Sequence, residues 1–160
     1  MEATMLALEG FSHSLMTHRD PKKRDILATI LDKVLCDLDA GHSASITRRS
    51  AGLPMLVQKI VSSEPRGVGG QTRTLLSKSI QKLINIASKP VSTSAELYDM
   101  PQSHALHILK ALVHDSSLSF DIVQYCDSIL ICCVNNFSSI SWSIRFAIQK
   151  LRTSISSYIP

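Results

Sequence analysis

Apolar residues recur at steps of three and four along most of the chain, the spacing that places side chains on one face of a helix. The clearest stripe lies within RDILATILDKVLCDLDAG, residues 24–41. Its members are Ile26, Leu27, Ile30, Leu31, Val34, Leu35 and Leu38. Asp20 and Pro21 before the stripe are typical of a helix start and Gly41 after it is typical of a stop, so this pattern predicts a helix.

Six further segments carry similar stripes, and no segment alternates with a period of two, so we expect helices and no sheet. These segments lie near residues 4–16, 45–61, 75–87, 105–113, 122–137 and 144–155. Such helices form either a bundle or an α-solenoid of antiparallel pairs. We favour the solenoid because stretches such as 129–134 are apolar on more than one face, as stacked repeats require. We therefore expect an all-α, single helical-repeat domain over residues 1–160, as a slice of a longer array.

The composition is that of a folded intracellular chain. Hydrophobic residues make up 44% of the 160 residues, which excludes a disordered protein. The four cysteines, Cys36, Cys126, Cys132 and Cys133, are expected to be reduced and buried. The longest apolar run, SILICCVNNF, is about half the length that spans a bilayer. We expect a soluble, cytoplasmic protein with no membrane partner.

Positive charge is concentrated in the middle of the chain. Residues 46–89 contain eight lysines and arginines against one glutamate, a balance of +7, whereas residues 90–160 contain four cations against five anions. Lys78, Lys82 and Lys89 recur at steps of four and seven, so they share one face of the predicted helix. Such a face is either ordinary solvated surface or, since no acid is interleaved, a contact for an anionic partner.

The sequence argues against catalysis. PRGVGGQTRT lacks the lysine and the preceding strand of a P-loop, although Arg66 and Arg73 could still touch a phosphate. His104, His107 and His114 have no carboxylate or cysteine pair at metal-ligand spacing, and no serine lies in a nucleophile elbow. We therefore expect no enzyme, no metal site and no small-molecule substrate.

The stretch ITRRSAGLPMLVQKI, residues 46–60, combines two arginines with a glycine and a helix-bending proline, Pro54. Helical spacing places Arg48, Gly52 and Lys59 on one face, where the glycine would let a phosphate come close. Arg49 falls in line with the apolar stripe instead, and its alternative role is to pair with a carboxylate of the preceding helix, such as Asp37 or Asp39, or to cap carbonyls.

Three stretches occur in the order found in the thyroid adenoma-associated protein family, which this chain therefore resembles. They are TRRSAGLP (47–54), SHALHILKALVHDSSL (103–118) and FSSISWSIRFAI (137–148). The family includes the non-catalytic regulatory subunit of a tRNA 2′-O-ribose methyltransferase. The resemblance implies an armadillo/HEAT-like scaffold. It also implies an FtsJ-type partner that binds S-adenosylmethionine and methylates the ribose at tRNA position 32, while the scaffold holds the anticodon loop.

The resemblance also singles out residues. The first motif, which the family ties to methylation, falls on Arg48, Arg49, Ser50, Ala51, Gly52, Leu53 and Pro54, and the other two fall on His104, Asp115, Trp142 and Arg145. Our leading hypothesis is a non-catalytic scaffold in tRNA modification. Its predicted RNA or partner contacts are Arg48, Arg49, Ser50, Gly52, Pro54, Lys59, Lys78 and Lys82. The alternative is a protein-interaction scaffold without an RNA role, whose basic stripe binds an acidic helix or peptide.

Overall fold

The computed structural model describes residues 2–18, 21–40, 52–66, 73–91, 100–156 and 158. All regular structure within these ranges is helical, which confirms the predicted all-α class. The α-helices described are α1 (Glu2–Met16), α2 (Pro21–Asp39), α3 (Gly52–Ser63), α4 (Thr74–Ala87), α5 (Pro101–His114), α6 (Ser119–Ile122), α7 (Cys126–Asn136) and α8 (Trp142–Ile155). Two short 3-10 turns, Ser116–Leu118 and Val123–Tyr125, flank α6. The arrangement as armadillo/HEAT-like pairs stays a prediction.

Most predicted stripes correspond to a helix, with differences at the ends. The predicted helix over 45–61 is described from Gly52 onward, and residues 45–51 lie outside the described ranges. The predicted helix over 122–137 is divided by the 3-10 turn at Val123–Tyr125. α5 begins at Pro101, before its apolar stripe, because a proline is tolerated at the first helical position, where the N–H has no helical partner.

α5 lies at the centre of the core and packs against α3, α4 and α8. Its buried residues cover most of its circumference: Gln102, Ser103, Ala105, Leu106, Ile108, Leu109, Leu112 and Val113. A helix with buried residues on most of its circumference must pack against other helices on several sides. Residues 129–134 are likewise apolar on more than one face, but within the described structure one of these faces is exposed. Ile131 is 61% exposed and Val134 is 73% exposed, so α7 is covered on one side only.

Glu64, the one acid of the basic middle segment, caps α4. Its carboxylate accepts hydrogen bonds from the backbone N–H groups of Thr74 and Leu75, both at 2.8 Å, and from the Thr74 hydroxyl at 2.6 Å. These first-turn N–H groups have no acceptor within the helix, and a negative charge is favoured beside them. Glu64 therefore fixes the position of α4 relative to the end of α3.

A buried ion pair fixes the same connection from the other side. Arg73 and Asp121 are both buried, and Arg73 Nε lies 3.3 Å from Asp121 Oδ2 without being directed at it, so the contact is ionic. Arg73 also donates through Nη1 to the carbonyl of Ser62 at 3.1 Å and through Nη2 to that of Ser117 at 3.4 Å. The expectation that Arg73 could touch a phosphate is therefore wrong, because its guanidinium is enclosed by the fold.

Residues Ser116–Asn136 form a helical stretch that is long and apolar enough, by length and composition alone, to cross a membrane. The stretch includes both 3-10 turns as well as α6 and α7. Its apolar residues Leu118, Ile122 and Ile129 are buried in the core. The core helix of a soluble protein passes the same test, so this finding is weak evidence for a membrane span.

Candidate functional site

The first family motif, residues 47–54, leads into α3. The structure describes only the last three residues of this motif, Gly52, Leu53 and Pro54. Arg48, Arg49, Ser50 and Ala51 lie outside the described residues. Leu53 is buried in the core, while Gly52 is exposed, and a Cβ placed there would meet nothing within 4 Å among the described atoms. No described side chain therefore occupies the space beside Gly52.

Pro54 lies in the first turn of α3 as described, and Gly52–Ser63 continues past it without a break. A proline near the beginning of a helix removes an N–H group that has no acceptor within that helix, so it costs little there. The bend predicted at Pro54 involves residues 45–51, which lie outside the described ranges.

Lys59, a predicted contact residue, is held by α1. Its Nζ lies 2.6 Å from Glu9 Oε2, and its side chain is 20% exposed. Both residues line a polar pocket of about 360 Å³ together with Ser62, Ser63 and Asp115. The charge of Lys59 is thus matched within the protein, and its contact with an outside partner stays a prediction.

Asp115, from the second motif, joins α5 to α3. Its Oδ2 accepts a hydrogen bond from Gln58 Nε2 at 3.0 Å. Its Oδ1 accepts from the backbone N–H of Ser117 at 2.9 Å and from the Ser117 hydroxyl at 2.7 Å, which caps the 3-10 turn that follows α5. The structure therefore brings the helix that follows the first motif against the end of the second motif.

The histidines of the second motif do not form one cluster: His104 and His107 are neighbours on α5, and His114 contacts α8. His104 and His107 are half-buried on α5. Burial lowers the pKa of His107, and the neighbouring His104 and Lys110 lower it further. His114 shares a hydrogen bond with the hydroxyl of Ser154 on α8 at 2.6 Å. Within the described ranges, no group of three His, Cys, Asp or Glu side chains could hold a metal ion.

The predicted lysine stripe lies along a groove of about 530 Å³ between α2 and α4, lined by Asp32, Asp39, Lys78, Gln81, Lys82, Asn85, Ile86 and Lys89. Lys89 forms an ion pair with Asp39, and Lys82 Nζ donates to Cys36 Sγ at 2.9 Å. Lys78 is exposed and makes no such contact with another described residue. α4 itself carries no acid, but α2 supplies the acids that the stripe lacks, so the groove is of mixed charge.

The four cysteines differ in exposure. Cys126, Cys132 and Cys133 are buried as expected, but Cys36 is exposed, which makes the expectation of four buried thiols wrong. Cys36 lies on the side of α2 that faces the groove, next to Lys82. Burial, with Cys132 as a smaller cause, raises the pKa of Cys133 to about 11, so its thiol stays protonated at neutral pH.

The third motif lies at the start of α8. Trp142 is 68% exposed and stacks on Phe146, with ring centroids 5.2 Å apart and an angle of 16° between the rings. Lys150 Nζ lies 5.4 Å from the centroid of the Phe146 ring. Phe146 and Lys150 are absent from the set predicted from the sequence, although Trp142, Phe146 and Lys150 follow one another at steps of four residues, which places them on one face of a helix.

Comparison with known proteins gives one consistent result. Residues 1–143 match the family described as THADA/TRM732, DUF2428. The dog (Canis lupus familiaris) protein named tRNA (32-2′-O)-methyltransferase regulator THADA is 33% identical over 119 residues, which are 74% of this chain and 6% of that protein. Its human namesake is 31% identical over 119 residues, again 74% of this chain and 6% of that protein.

A fungal relative covers more of the chain. The Schizosaccharomyces pombe protein named tRNA (32-2′-O)-methyltransferase regulator trm732 is 29% identical over 149 residues, which are 91% of this chain and 9% of that protein. The chain thus spans less than a tenth of the length of these curated relatives. No solved structure matches.

Proposed function

Because this chain belongs to the THADA/TRM732 family, we propose that it is a non-catalytic part of a regulator of tRNA methylation. In this proposal it helps to position the anticodon loop so that a partner FtsJ-type methyltransferase modifies the 2′-oxygen of the ribose at position 32. The partner binds S-adenosylmethionine and performs the chemistry in the cytoplasm. The helices of this chain form part of an armadillo/HEAT-like array.

The family match over residues 1–143 carries the proposal, since the relatives are named as regulators of a methyltransferase that acts at that tRNA position. The hydrogen bond between Gln58 and Asp115 supports it, because this contact joins the segments that contain the first two family motifs. A rigid junction of this kind suits a scaffold, which must hold two partners in a fixed relation.

Backbone phosphates of the tRNA are proposed to meet Arg48 and Lys78, with Lys59 and Lys82 as further contacts. Exposure supports Lys78, and the exposure of Gly52, with no described atom within 4 Å of a Cβ placed there, supports an approach to the start of α3. Phosphate contacts position an RNA without reading its sequence, so recognition depends on the shape of the tRNA.

The proposal is tested by adding the chain to an FtsJ-type methyltransferase with S-adenosylmethionine and tRNA and measuring 2′-O-methylation at position 32. We expect the chain to raise the rate, and Arg48→Ala with Arg49→Ala to lower it about tenfold, the effect of losing one or two charge-assisted hydrogen bonds. Lys33→Ala, an exposed charge on α2, is the matched control. A rate that the chain leaves unchanged would refute the proposal.

The second candidate is a protein-interaction scaffold without an RNA role. Exposed Ile131, Val134 and Phe137 on and after α7 favour it, because large exposed apolar side chains commonly mark protein interfaces. Retention experiments with immobilised chain separate the two candidates. Binding of tRNA and of the methyltransferase supports the first, whereas binding of acidic peptides with no retention of tRNA supports the second.

A further inference from the structure

The outward face of α8 combines aromatic rings with cations. Its exposed residues are Trp142, Arg145, Phe146, Gln149, Lys150, Arg152 and Thr153, and none of them is aliphatic. Trp142, Phe146 and Lys150 follow one another at steps of four residues, so they form a column along the helix. Trp142 and Phe146 are already stacked nearly parallel, with 16° between the rings. The helix therefore presents a preformed aromatic stack to solvent.

The charged residues of the last part of the chain, which contains this column, are all positive. Residues 128–160 contain three cations and no aspartate or glutamate, because all five acids after Pro90 precede residue 128. Arg145, Lys150 and Arg152 form no ion pair with another described residue, unlike Lys59, Arg73 and Lys89. An anionic ligand at α8 would thus meet charges that no described carboxylate compensates.

Arg145 also stabilises the turn that precedes α8. Its Nη1 donates to the carbonyls of Ser139 at 2.6 Å and Ile140 at 3.1 Å, which holds the turn before α8. Both bonds use the same nitrogen, and the residue is exposed. The guanidinium is thus fixed about one helical turn from Trp142, with its other nitrogens available to an acceptor.

We propose that the outward face of α8 binds an unpaired stretch of RNA. A base stacks on the Trp142–Phe146 pair, and the phosphates beside it meet Lys150, Arg152 and Arg145. Exposed aromatics that extend a base stack, flanked by cations that follow the backbone, are the usual means of binding single-stranded nucleic acid. This inference rests on the proposed function only in naming the RNA, which would be the unpaired loop of a tRNA.

A protein partner fits this face less well than it fits α7. The exposed residues of α7 include Ile131 and Val134, which make an aliphatic surface, whereas the exposed apolar residues of α8 are aromatic only. Aliphatic side chains bury well against protein but offer no flat ring on which a base can stack. The composition of the α8 face therefore favours RNA.

The chain has a built-in reporter for this contact, because Trp142 is its only tryptophan. We expect an unlabelled oligouridylate of about 12 nucleotides, within the usual site size, to quench the fluorescence of the full chain in a saturable manner. Phe146→Leu should weaken binding at least about fivefold, the lower end of what a lost stacking contact costs. Phe11→Leu, an equal change at an exposed residue of α1, is the matched control.

Circular dichroism melting verifies that both variants fold. Absence of quenching, or equal weakening by Phe146→Leu and Phe11→Leu, would overturn the inference. So would unchanged RNA affinity of Phe146→Leu combined with loss of methyltransferase retention, since that result would make α8 a protein contact. The proposed function is judged separately by the methylation assay with Arg48 and Arg49, so the two can fail independently.

Discussion

The groove between α2 and α4 and the outward face of α8 both present lysines. They differ in whether other residues of the protein pair with those charges. In the groove, Lys89 pairs with Asp39 and Lys82 contacts Cys36. On α8, Lys150 lies over the ring of Phe146, and Arg152 forms no ion pair with a described residue. The region with the larger charge count is thus the one that the fold neutralises in part.

This difference shows what a charge count along a sequence omits. The balance of +7 over residues 46–89 does not include Glu9, Asp39 or Asp121, which lie outside that segment and meet its cations in the folded chain. The balance over residues 90–160 combines five early acids with three late cations, so it conceals a C-terminal stretch without acids. Only the contacts between helices assign each charge to a partner.

The largest expected effect concerns the buried ion pair between Arg73, which belongs to the basic middle segment, and Asp121. Asp121→Ala leaves the buried guanidinium of Arg73 without its counter-charge, and breaking such a pair costs about 3–5 kcal/mol. Urea unfolding should show this loss of free energy. Arg152→Met, at an exposed position of α8, should change it by no more than about 0.5 kcal/mol. Equal losses for the two variants would mean that the Arg73–Asp121 pair does not stabilise the fold more than an exposed arginine does.

Thiol labelling compares the groove, which Cys36 faces, with the buried side of α7, which carries Cys133. Only thiolates react readily with maleimides, so raising the pKa of Cys133 to about 11 leaves it about a hundredfold less thiolate at pH 8 than an ordinary cysteine. Raising the pH from 8 to 9 increases the thiolate fraction of Cys133 about tenfold, but only to about 1%, because its pKa lies well above that range. We expect one rapidly labelled cysteine per native chain, Cys36, and four in denaturant. Rapid native labelling that persists in Cys36→Ser would contradict this.

A smaller effect is expected at the junction of the two motifs. Asp115→Ala removes the acceptor of Gln58 Nε2 and the cap of the following turn, which should cost about 1–3 kcal/mol of unfolding free energy. Thermal or urea unfolding measures it. Asp37→Ala, which removes an exposed carboxylate from α2, is the matched control. Loss of methylation with unchanged stability in Asp115→Ala would instead assign Asp115 a direct contact with a partner.

The sequence predicts the helices well because each buries one face, and periodicity records that face directly. α2 illustrates this, since Leu27, Leu31, Leu35 and Leu38 of its stripe are buried, although Ile26 and Ile30 of the same stripe are 43% and 37% exposed. Periodicity cannot say which helix is central. α5 and residues 129–134 look alike in composition, yet α5 is enclosed and α7 is exposed on one side.

The candidate site is predictable only where a motif or a single helix defines it. The family motifs lead to Asp115 and Trp142, and helical spacing correctly places the lysines of α4 on one face. The pairing of Lys59 with Glu9 and of Gln58 with Asp115 joins residues 50 and 57 positions apart, which no local pattern reveals. Such long-range contacts decide which predicted cations remain available.

The most direct measurement of the difference between the two regions is the salt dependence of RNA binding for two single variants, Lys150→Gln and Lys89→Gln. Each removes one lysine charge, and each binding slope is measured against the logarithm of salt concentration with the same oligouridylate. Lys150→Gln should lower the slope by about 0.7, the value for one phosphate contact to a single strand, while Lys89→Gln, whose charge is paired with Asp39, should leave it unchanged. A fall only in Lys89→Gln would show that the groove and not α8 contacts the RNA, and equal slopes for the two variants would contradict the difference between the two regions.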